Sequence, residues 1–527
     1  MLRPACLLMV AATVGIATAS SFSQWTSDPA ANTLVATGNN DQVQPKIRST
    51  ADGGCYISFF DNQSGGYDVR LQRLDAAGVV QWPGGVLIAD RSFSSTQDYG
   101  ACTDTEGFSL LAFRDDRSGS QNVTAQRVSP SGQLMWGTGV SMPGSAGGSV
   151  PRITGTSDGG SVVAWTTGSS VALVKLTSEG SVVWTRTVTG PGGVNVIGAY
   201  LVASDAPGQT GAFVLSMVRF GSFSTPRNLY AQKFDIDGNP LWGASPLTIY
   251  GTGSLQIGNY PPFVSDGAGG AVLTWYGTTG GLQCYVQRVY SDGSLQFVAN
   301  GERVVSTTGQ QRVGPAACID QSTGDIYCFW TELNSSQSNH GLGGQRFVGT
   351  SRAWGESGLV LVPLGASEVQ QVRVQPRNGG ATVLWAQGNL GNQTLVASAR
   401  DSSGADAWSG FVTFSSIVTG KSRLDTTVLG EGTMSGPGTI YAVWQDGRDS
   451  ASAEEELYAQ NIRIDGTLGT ADIPGDLNHD GEVNGADLAI LLSGWGPCRP
   501  KGKCIADLNG DGVVNGADLS ILLGNWG

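Results

Sequence analysis

Cys55-Tyr-Ile-Ser-Phe-Phe60, Asp61-Asn-Gln-Ser-Gly65, Val69-Arg-Leu-Gln72-Arg-Leu74 and Asp75-Ala-Ala-Gly78-Val-Val-Gln-Trp82 form one continuous stretch whose pattern decides the fold. Short apolar or alternating runs are separated by Gly-, Asn- and Asp-rich turns, the signature of antiparallel β structure. Four strands fit the unit, at roughly 45–50, 54–60, 67–74 and 79–88. The turns between them are Asp52-Gly-Gly54, Asn62-Gln-Ser-Gly65 and Asp75-Ala-Ala-Gly78.

The same phrase recurs along the chain. An apolar, often aromatic, residue ends the second strand of each unit: Phe60, Phe113, Trp165, Met217, Trp275, Trp330, Trp385 and Trp444, in steps of 52 to 59 residues. A Gln follows inside the third strand at Gln72, Gln126, Gln232, Gln287, Gln345 and Gln460. A Trp or Phe comes after the next turn: Trp82, Trp136, Trp184, Trp242, Phe297, Trp354 and Trp408. Four strands per unit at about 50 residues argue a β-propeller, with an open array of two-sheet sandwiches as the alternative. Eight second-strand markers predict eight blades. The eighth unit lacks its own last Trp, and Ser23-Gln24-Trp25, followed by Leu34-Val35, supplies one. Residues near 23–36 are therefore expected beside 457–464, closing the ring and removing its open edge.

A second repeat lies at the end. Asp476-Leu-Asn478-His-Asp480-Gly-Glu482-Val-Asn484-Gly-Ala-Asp487 is matched 31 residues later by Asp507-Leu-Asn509-Gly-Asp511-Gly-Val513-Val-Asn515-Gly-Ala-Asp518. Oxygen-bearing side chains fall at positions 1, 3, 5, 9 and 12, with Gly at 6, the spacing that wraps a loop around one Ca²⁺. Position 7 contributes a backbone carbonyl, so Glu482 and Val513 serve equally; Asn484 and Asn515 are expected to act through water. Val483 and Val514 can join the loops by a short β contact. Leu488, Leu491, Leu492 and Leu519, Leu522, Leu523 put an apolar stripe on each following helix, which Gly494 and Gly524 are expected to stop. Both repeats then read Trp-Gly.

Residues 476–527 resemble type I dockerins, paired loop-helix modules that bind calcium and dock onto cohesin domains. The resemblance implies two Ca²⁺ ions, the twelve ligand positions just described and a cohesin-like partner. Asp at position 12 and the missing helix before each loop fit that family. Positions 10 and 11, which help choose the cohesin in dockerins, are Gly485-Ala486 and Gly516-Ala517 here, so the partner's identity does not carry over. The phrase Gln72-Arg73-Leu74-Asp75, with Gln126-Arg127-Val128 and Gln287-Arg288-Val289, resembles secreted bacterial repeat proteins with propeller-like units. Thr156-Ser-Asp158-Gly-Gly160 partly resembles the sialidase Asp-box but lacks its closing aromatic, and reads as a hairpin turn.

The start, Met1-Leu-Arg3-Pro with an apolar run to Ala17-Thr-Ala19, reads as a secretory signal. The domains are thus a signal at 1–19, a propeller at 20–465, a linker at 466–475 and a calcium module at 476–527. No later stretch is apolar enough to span a membrane. Export permits disulfides: Cys498 with Cys504 is the best pair, then Cys318 with Cys328 and Cys55 with Cys102. The 30 basic and 43 acidic residues leave a net charge of −13, and with no basic stripe nucleic acid is not an expected partner. The module at 476–527 holds seven acidic and three basic residues, a deficit that bound calcium offsets.

Only His340 and His479 could serve a Ser-His-Asp arrangement, and no nucleophile elbow accompanies them. His340 is expected in a polar loop. The clusters Asp61-Asn62, Asp115-Asp116-Arg117 and Asp446-Gly-Arg448-Asp449 follow equivalent strands and read as turn caps with local ion pairs; Glu454-Glu455-Glu456 reads as a solvated loop. The expected function is a secreted calcium-binding protein whose propeller is a scaffold for a carbohydrate or cell-surface ligand. A polysaccharide-degrading hydrolase or lyase with a propeller catalytic domain is the alternative, and a calcium-stabilised cap a third reading of the tail.

Overall fold

The computed structural model describes residues 24–36, 40–62, 65–92, 99–430, 438–448, 454–470, 474–477, 483–498 and 504–527. Residues 1–19 lie outside that set. The described residues form eight antiparallel sheets of four or five strands, the blades of a propeller. Their first strands are Gln42–Ser49, Gly100–Thr103, Ser149–Gly155, Val196–Ala203, Phe263–Ser265, Gln311–Ile319, Val369–Arg377 and Lys421–Val428, in blades 1 to 8. Each first strand touches the next, and the eighth touches the first, so the inner ring is closed.

Closure uses the N-terminus as expected. Blade 8 takes three strands from the end of the ring, Lys421–Val428, Ile440–Asp446 and Glu456–Ile462, and its fourth, Thr33–Ala36, from the beginning. Thr33 pairs with Ala459, Leu34 with Tyr458 and Ala36 with Leu457. The Trp25 amide donates to the Ala77 carbonyl of blade 1 at 2.8 Å. Its ring is buried, stacked 5.2 Å from Tyr441.

This contact repeats around the ring. The late Trp of one blade lies over the turn between the third and fourth strands of the next. Indole N–H groups donate to turn carbonyls from Trp136 to Ser178, Trp184 to Ile236, Trp242 to Ser291, Trp354 to Ser402 and Trp408 to Ile464, at 2.8–3.1 Å. Each turn has a Gly under the ring. At Gly78, with φ +86°, a Cβ would lie 2.5 Å from the Trp25 indole, so only glycine permits the approach.

The Gln marker explains why fourth strands are short. Gln72 donates through Nε2 to the Trp82 carbonyl at 2.7 Å and accepts through Oε1 from the Trp82 and Arg73 amides at 3.1 and 2.9 Å. Gln126, Gln232, Gln287 and Gln345 likewise accept from the amides of Trp136, Trp242, Phe297 and Trp354, and donate to the carbonyl of the residue after each aromatic. A side chain thus satisfies backbone groups that a ladder would otherwise pair. The fourth strand of blade 1 is Val86–Ala89 rather than 79–88, because the Trp82 segment is held by this clamp. Blade 3 has Val174 at the corresponding position and a full fourth strand, Val182–Val188.

Four other expectations shift. In blade 1 the register-equivalent aromatic is Phe59, not Phe60: Phe59 faces Arg70, two residues before Gln72, as Phe113 faces Thr124 two before Gln126. His340 opens a strand, His340–Val348, rather than lying in a loop. Cys318 and Cys328 are not bonded; Cys318 pairs with Tyr327 and Cys328 with Ala317, an offset of one residue that sends the two thiols to opposite faces. Cys55 and Cys102 are separate free thiols too. No helix among the described residues is long and apolar enough to cross a membrane.

If the Trp25 lock carries closure, Trp25→Ala should cost about 3–5 kcal/mol in urea unfolding, as for other buried Trp truncations. Leu390→Ala, at a side chain 79% exposed, should stay within about 0.5 kcal/mol. Equal, small losses would show that the ring closes without that contact.

Candidate functional site

The C-terminal module is built from two loop-helix units. Helix α1 spans Gly485–Ser493 and α2 spans Gly516–Gly524. Each starts with a capping box: Asn484 and Asn515 accept from the Ala486 and Ala517 amides at 2.8 Å, and Asp487 and Asp518 reach back to the cap amides at 2.9 and 2.8 Å. The second helix runs through Gly524, and Asn525 caps it.

The helices bury Leu491 and Leu522 against Leu477, Val483 and Val514. Val483 and Val514 do not pair with each other. Val514 pairs with Gly496, just after the Trp of the first unit, and the Gly527 amide donates to the Val483 carbonyl at 3.1 Å. Each loop is therefore stitched to the Trp-Gly segment of the other unit, a reciprocal exchange that a sequence reading of two like loops does not reveal. The Cys498–Cys504 disulfide closes the connector between the units.

The second loop is described in full. Asp507 accepts from the Gly510, Asp511 and Gly512 amides at 2.7–3.1 Å. Asn509 and Asp511 accept from the Asp511 and Val513 amides at 2.9 Å. Gly512 takes φ +89°, the left-handed bend expected at position 6. Asp518 is buried; burial pushes its carboxyl up, and the backbone N–H groups of Asn515, Asn509 and Leu508 outweigh this and hold it below the usual carboxylate range. In the first loop Asp487 accepts from the Leu477 amide at 2.8 Å in the same way. Asn478, Asp480 and Glu482 lie outside the described residues, as does His479. Among the described residues no three His, Cys, Asp or Glu side chains converge as a metal cluster. The donor set of the second loop, three carboxylates with two amides and a backbone carbonyl, is all oxygen and fits a hard divalent ion.

Two apolar pairs stand out in matching places: Leu492 and Trp495 after the first loop, Leu523 and Trp526 after the second. All four are about half exposed, between 47% and 53%.

On the propeller rim, the acidic clusters are ion-paired. Asp61 meets Arg70 at 2.5 Å and Asp115 meets Arg117 at 2.7 Å. Asp446 is fully buried between Lys421 at 2.6 Å and Arg448 at 2.7 Å, and accepts from the Trp444 indole at 2.8 Å. Glu332 and Gln387 take the indole N–H of Trp330 and Trp385 at the same offset of two residues. These groups close the ends of the second strands. Glu456 opens a strand, and Asp449 lies outside the described residues.

Residues 474–524 match the dockerin type I domain family, a calcium-binding class of module. No curated protein matches the chain. Among solved structures, an alpha-L-arabinanase of Penicillium chrysogenum complexed with arabinobiose is similar at 12% identity and TM-score 0.36, over 61% of this chain and 94% of that one. Prolyl oligopeptidase B of Galerina marginata gives 10% and 0.42, over 77% of this chain and 55% of that one. A protein of unknown function from Dyadobacter fermentans gives 8% and 0.34, over 83% and 97%. These likenesses are remote and have no bearing on activity.

Burial pushes the Asp446 carboxyl up, but Arg448, Lys421 and Trp444 outweigh it and hold it at about 2. Its unfolded value is about 3.9, so its stabilisation is present above pH ~4 and is lost as pH falls from there toward 2. Asp446→Asn should cost about 3–5 kcal/mol at pH 7, because Lys421 stays buried with its anion gone. It should also flatten the acid limb of stability between about pH 4 and 2. Urea midpoints measured across that range check both.

Proposed function

We propose that this is an exported protein of two parts, a propeller platform over 20–465 and a calcium-dependent docking tail over 476–527, joined through 466–475. The leader at 1–19 directs export, and the mature chain works outside the cell. The tail takes two Ca²⁺ ions. One is held by Asp476, Asn478, Asp480, the Glu482 carbonyl, Asn484 and Asp487; the other by Asp507, Asn509, Asp511, the Val513 carbonyl, Asn515 and Asp518. Bound calcium supplies the positive charge that lets these carboxylates sit together, so binding and folding of the tail are coupled.

The observation that carries the reading is the reciprocal stitching of two like loops, which presents the Leu492–Trp495 and Leu523–Trp526 pairs in duplicate. Exposed aromatic and leucine side chains rimmed by polar groups suit a protein partner, and a cohesin-type domain is the partner proposed. The ring serves as the platform for a carbohydrate or cell-surface ligand.

Calcium titration of the full chain by calorimetry should show two sites. Asp518→Ala should abolish one or weaken it by about tenfold or more, as loss of a ligand removes a carboxylate from a hard-cation shell; Asp487→Ala should do the same to the other. Capture on an immobilised type I cohesin should require calcium and be lost in EDTA. Unchanged affinity in both variants would overturn the ligand assignment, and calcium-independent capture would overturn the docking role.

A further inference from the structure

The Cys498–Cys504 disulfide does more than close the connector between the two loops; it grips the second loop at two separate points. The Asp507 amide donates to the Cys504 carbonyl at 3.1 Å, so one cysteine holds position 1. The Cys498 amide donates to the Gly512 carbonyl at 2.9 Å, so the other holds position 6, next to Val513. Val513 is itself paired with Pro497, the residue before Cys498. The two cysteine Cα atoms are 5.5 Å apart. The bond between the sulfurs therefore ties the entry of the loop to its bend, the two stretches that a bound ion has to draw together.

Cys498 is buried in the core of the module with Leu491, Val514 and Leu522. Its packed neighbours fix it in place, and the loop inherits that rigidity. Cys498 Sγ lies 3.8 Å from Asp507 Oδ2, the oxygen that also accepts from the Gly512 amide. As half of a disulfide this sulfur carries no proton. As a thiol it becomes a weak donor aimed at a carboxylate that the ion needs. The first loop has no such tie: Ile473 stands 31 residues before Cys504, and no cysteine lies between Cys328 and Cys498. Holding a site in its bound arrangement raises affinity by cutting the cost of ordering it. Two loops of like sequence are thus unequally prepared for their ions.

We propose that the disulfide is a redox-sensitive positioning element for the second calcium site. Oxidised, it presets the loop and keeps affinity high; reduced, it weakens that site alone, and with it the calcium-dependent docking of the tail. This rests on the docking reading and names the regulation of the same site. The step is exchange with a dithiol. One thiolate of the reagent attacks the partly buried Cys504 sulfur, the Cys498–Cys504 bond breaks, and the second thiolate closes the reagent's own disulfide. Two electrons and two protons pass to the cysteines, which end as thiols. The coupling is reciprocal: the factor by which the disulfide raises calcium affinity is the factor by which bound calcium protects the disulfide from reduction. Cys55, Cys102, Cys284, Cys318 and Cys328 are already free thiols, so among the described residues a dithiol meets this bond alone.

The test is calcium calorimetry on the full chain in two backgrounds that each leave one site. In Asp487→Ala the second site remains, and reduction with dithiothreitol should weaken it about tenfold. In Asp518→Ala the first site remains, and reduction should leave its affinity where it is. Cys498→Ser with Cys504→Ser, placed in the Asp487→Ala background without reductant, should match the reduced chain, with unfolding of the ring unchanged. In dithiothreitol redox buffers, followed by thiol alkylation, calcium should raise the reduced-to-oxidised reagent ratio needed to open the bond by the same factor, about tenfold. Equal affinity of the oxidised and reduced Asp487→Ala chains, equal loss at both sites, or a reduction midpoint indifferent to calcium would overturn this inference and leave calcium docking standing. No calcium binding by the oxidised chain would overturn the docking reading and this inference with it.

Discussion

The ring depends on one constraint: the last blade cannot be finished by the chain that builds it. Blade 8 ends at Ile462 with three strands, and its fourth comes from Thr33–Ala36, more than 400 residues earlier. A parted ring would expose an edge strand on blade 8 and the apolar face that Trp25 shares with Tyr441 and Ile57. Closure hides both, and it fixes the diameter of the inner ring. The seam is then welded with the same device used at six of the other seven blade junctions, a Trp over the glycine of the next turn.

That device is economical in backbone terms. Six of the eight third strands carry a Gln; in five its side chain answers both an amide and a carbonyl of the segment bearing the late aromatic, and in blade 8 Gln460 donates to the Thr26 carbonyl. Outer strands can therefore be short without leaving backbone groups unpaired. The inner strands do the opposite: they break their own ladder with bulges, and the side chains aimed inward by those breaks differ from blade to blade. Repetition builds the frame, and inner-strand residues such as Lys46, Arg373 and Asp425 depart from it.

Much of this was legible in the chain. Aromatic periodicity counted the blades, and a missing Trp in the last unit pointed to Trp25. What escaped the sequence reading depends on register. The step from Phe59 to Phe60 is invisible when both are Phe, and a one-residue offset separates the Cys318 and Cys328 thiols that sit either side of a plausible turn. His340 lies at the junction of a polar turn and a strand, where composition favours the turn. In the tail, the oxygen spacing and helix starts were readable from Asn484, Asp487, Asn515 and Asp518. The exchange between Val514 and Gly496 was not, because two near-identical units give no local signal of which half each segment joins. Residues 466–469 illustrate the same limit: they read as the start of a linker, and Gly469 exchanges two hydrogen bonds with Asn461 at 2.8 Å that fasten this end of it to the last blade. Lys46, Arg48, Arg373 and Asp425 line one cavity, which only closure of the ring assembles.

On the reading proposed above, the ring is complete in itself and the order of the tail depends on calcium. Differential scanning calorimetry of the full chain, in calcium and in EDTA, tests that division most directly. Two transitions are expected: a small one that moves to higher temperature in calcium, and a large one, from the closed ring, that stays where it is. A single transition unmoved by EDTA, or a large transition that shifts with calcium while no small one appears, would contradict it.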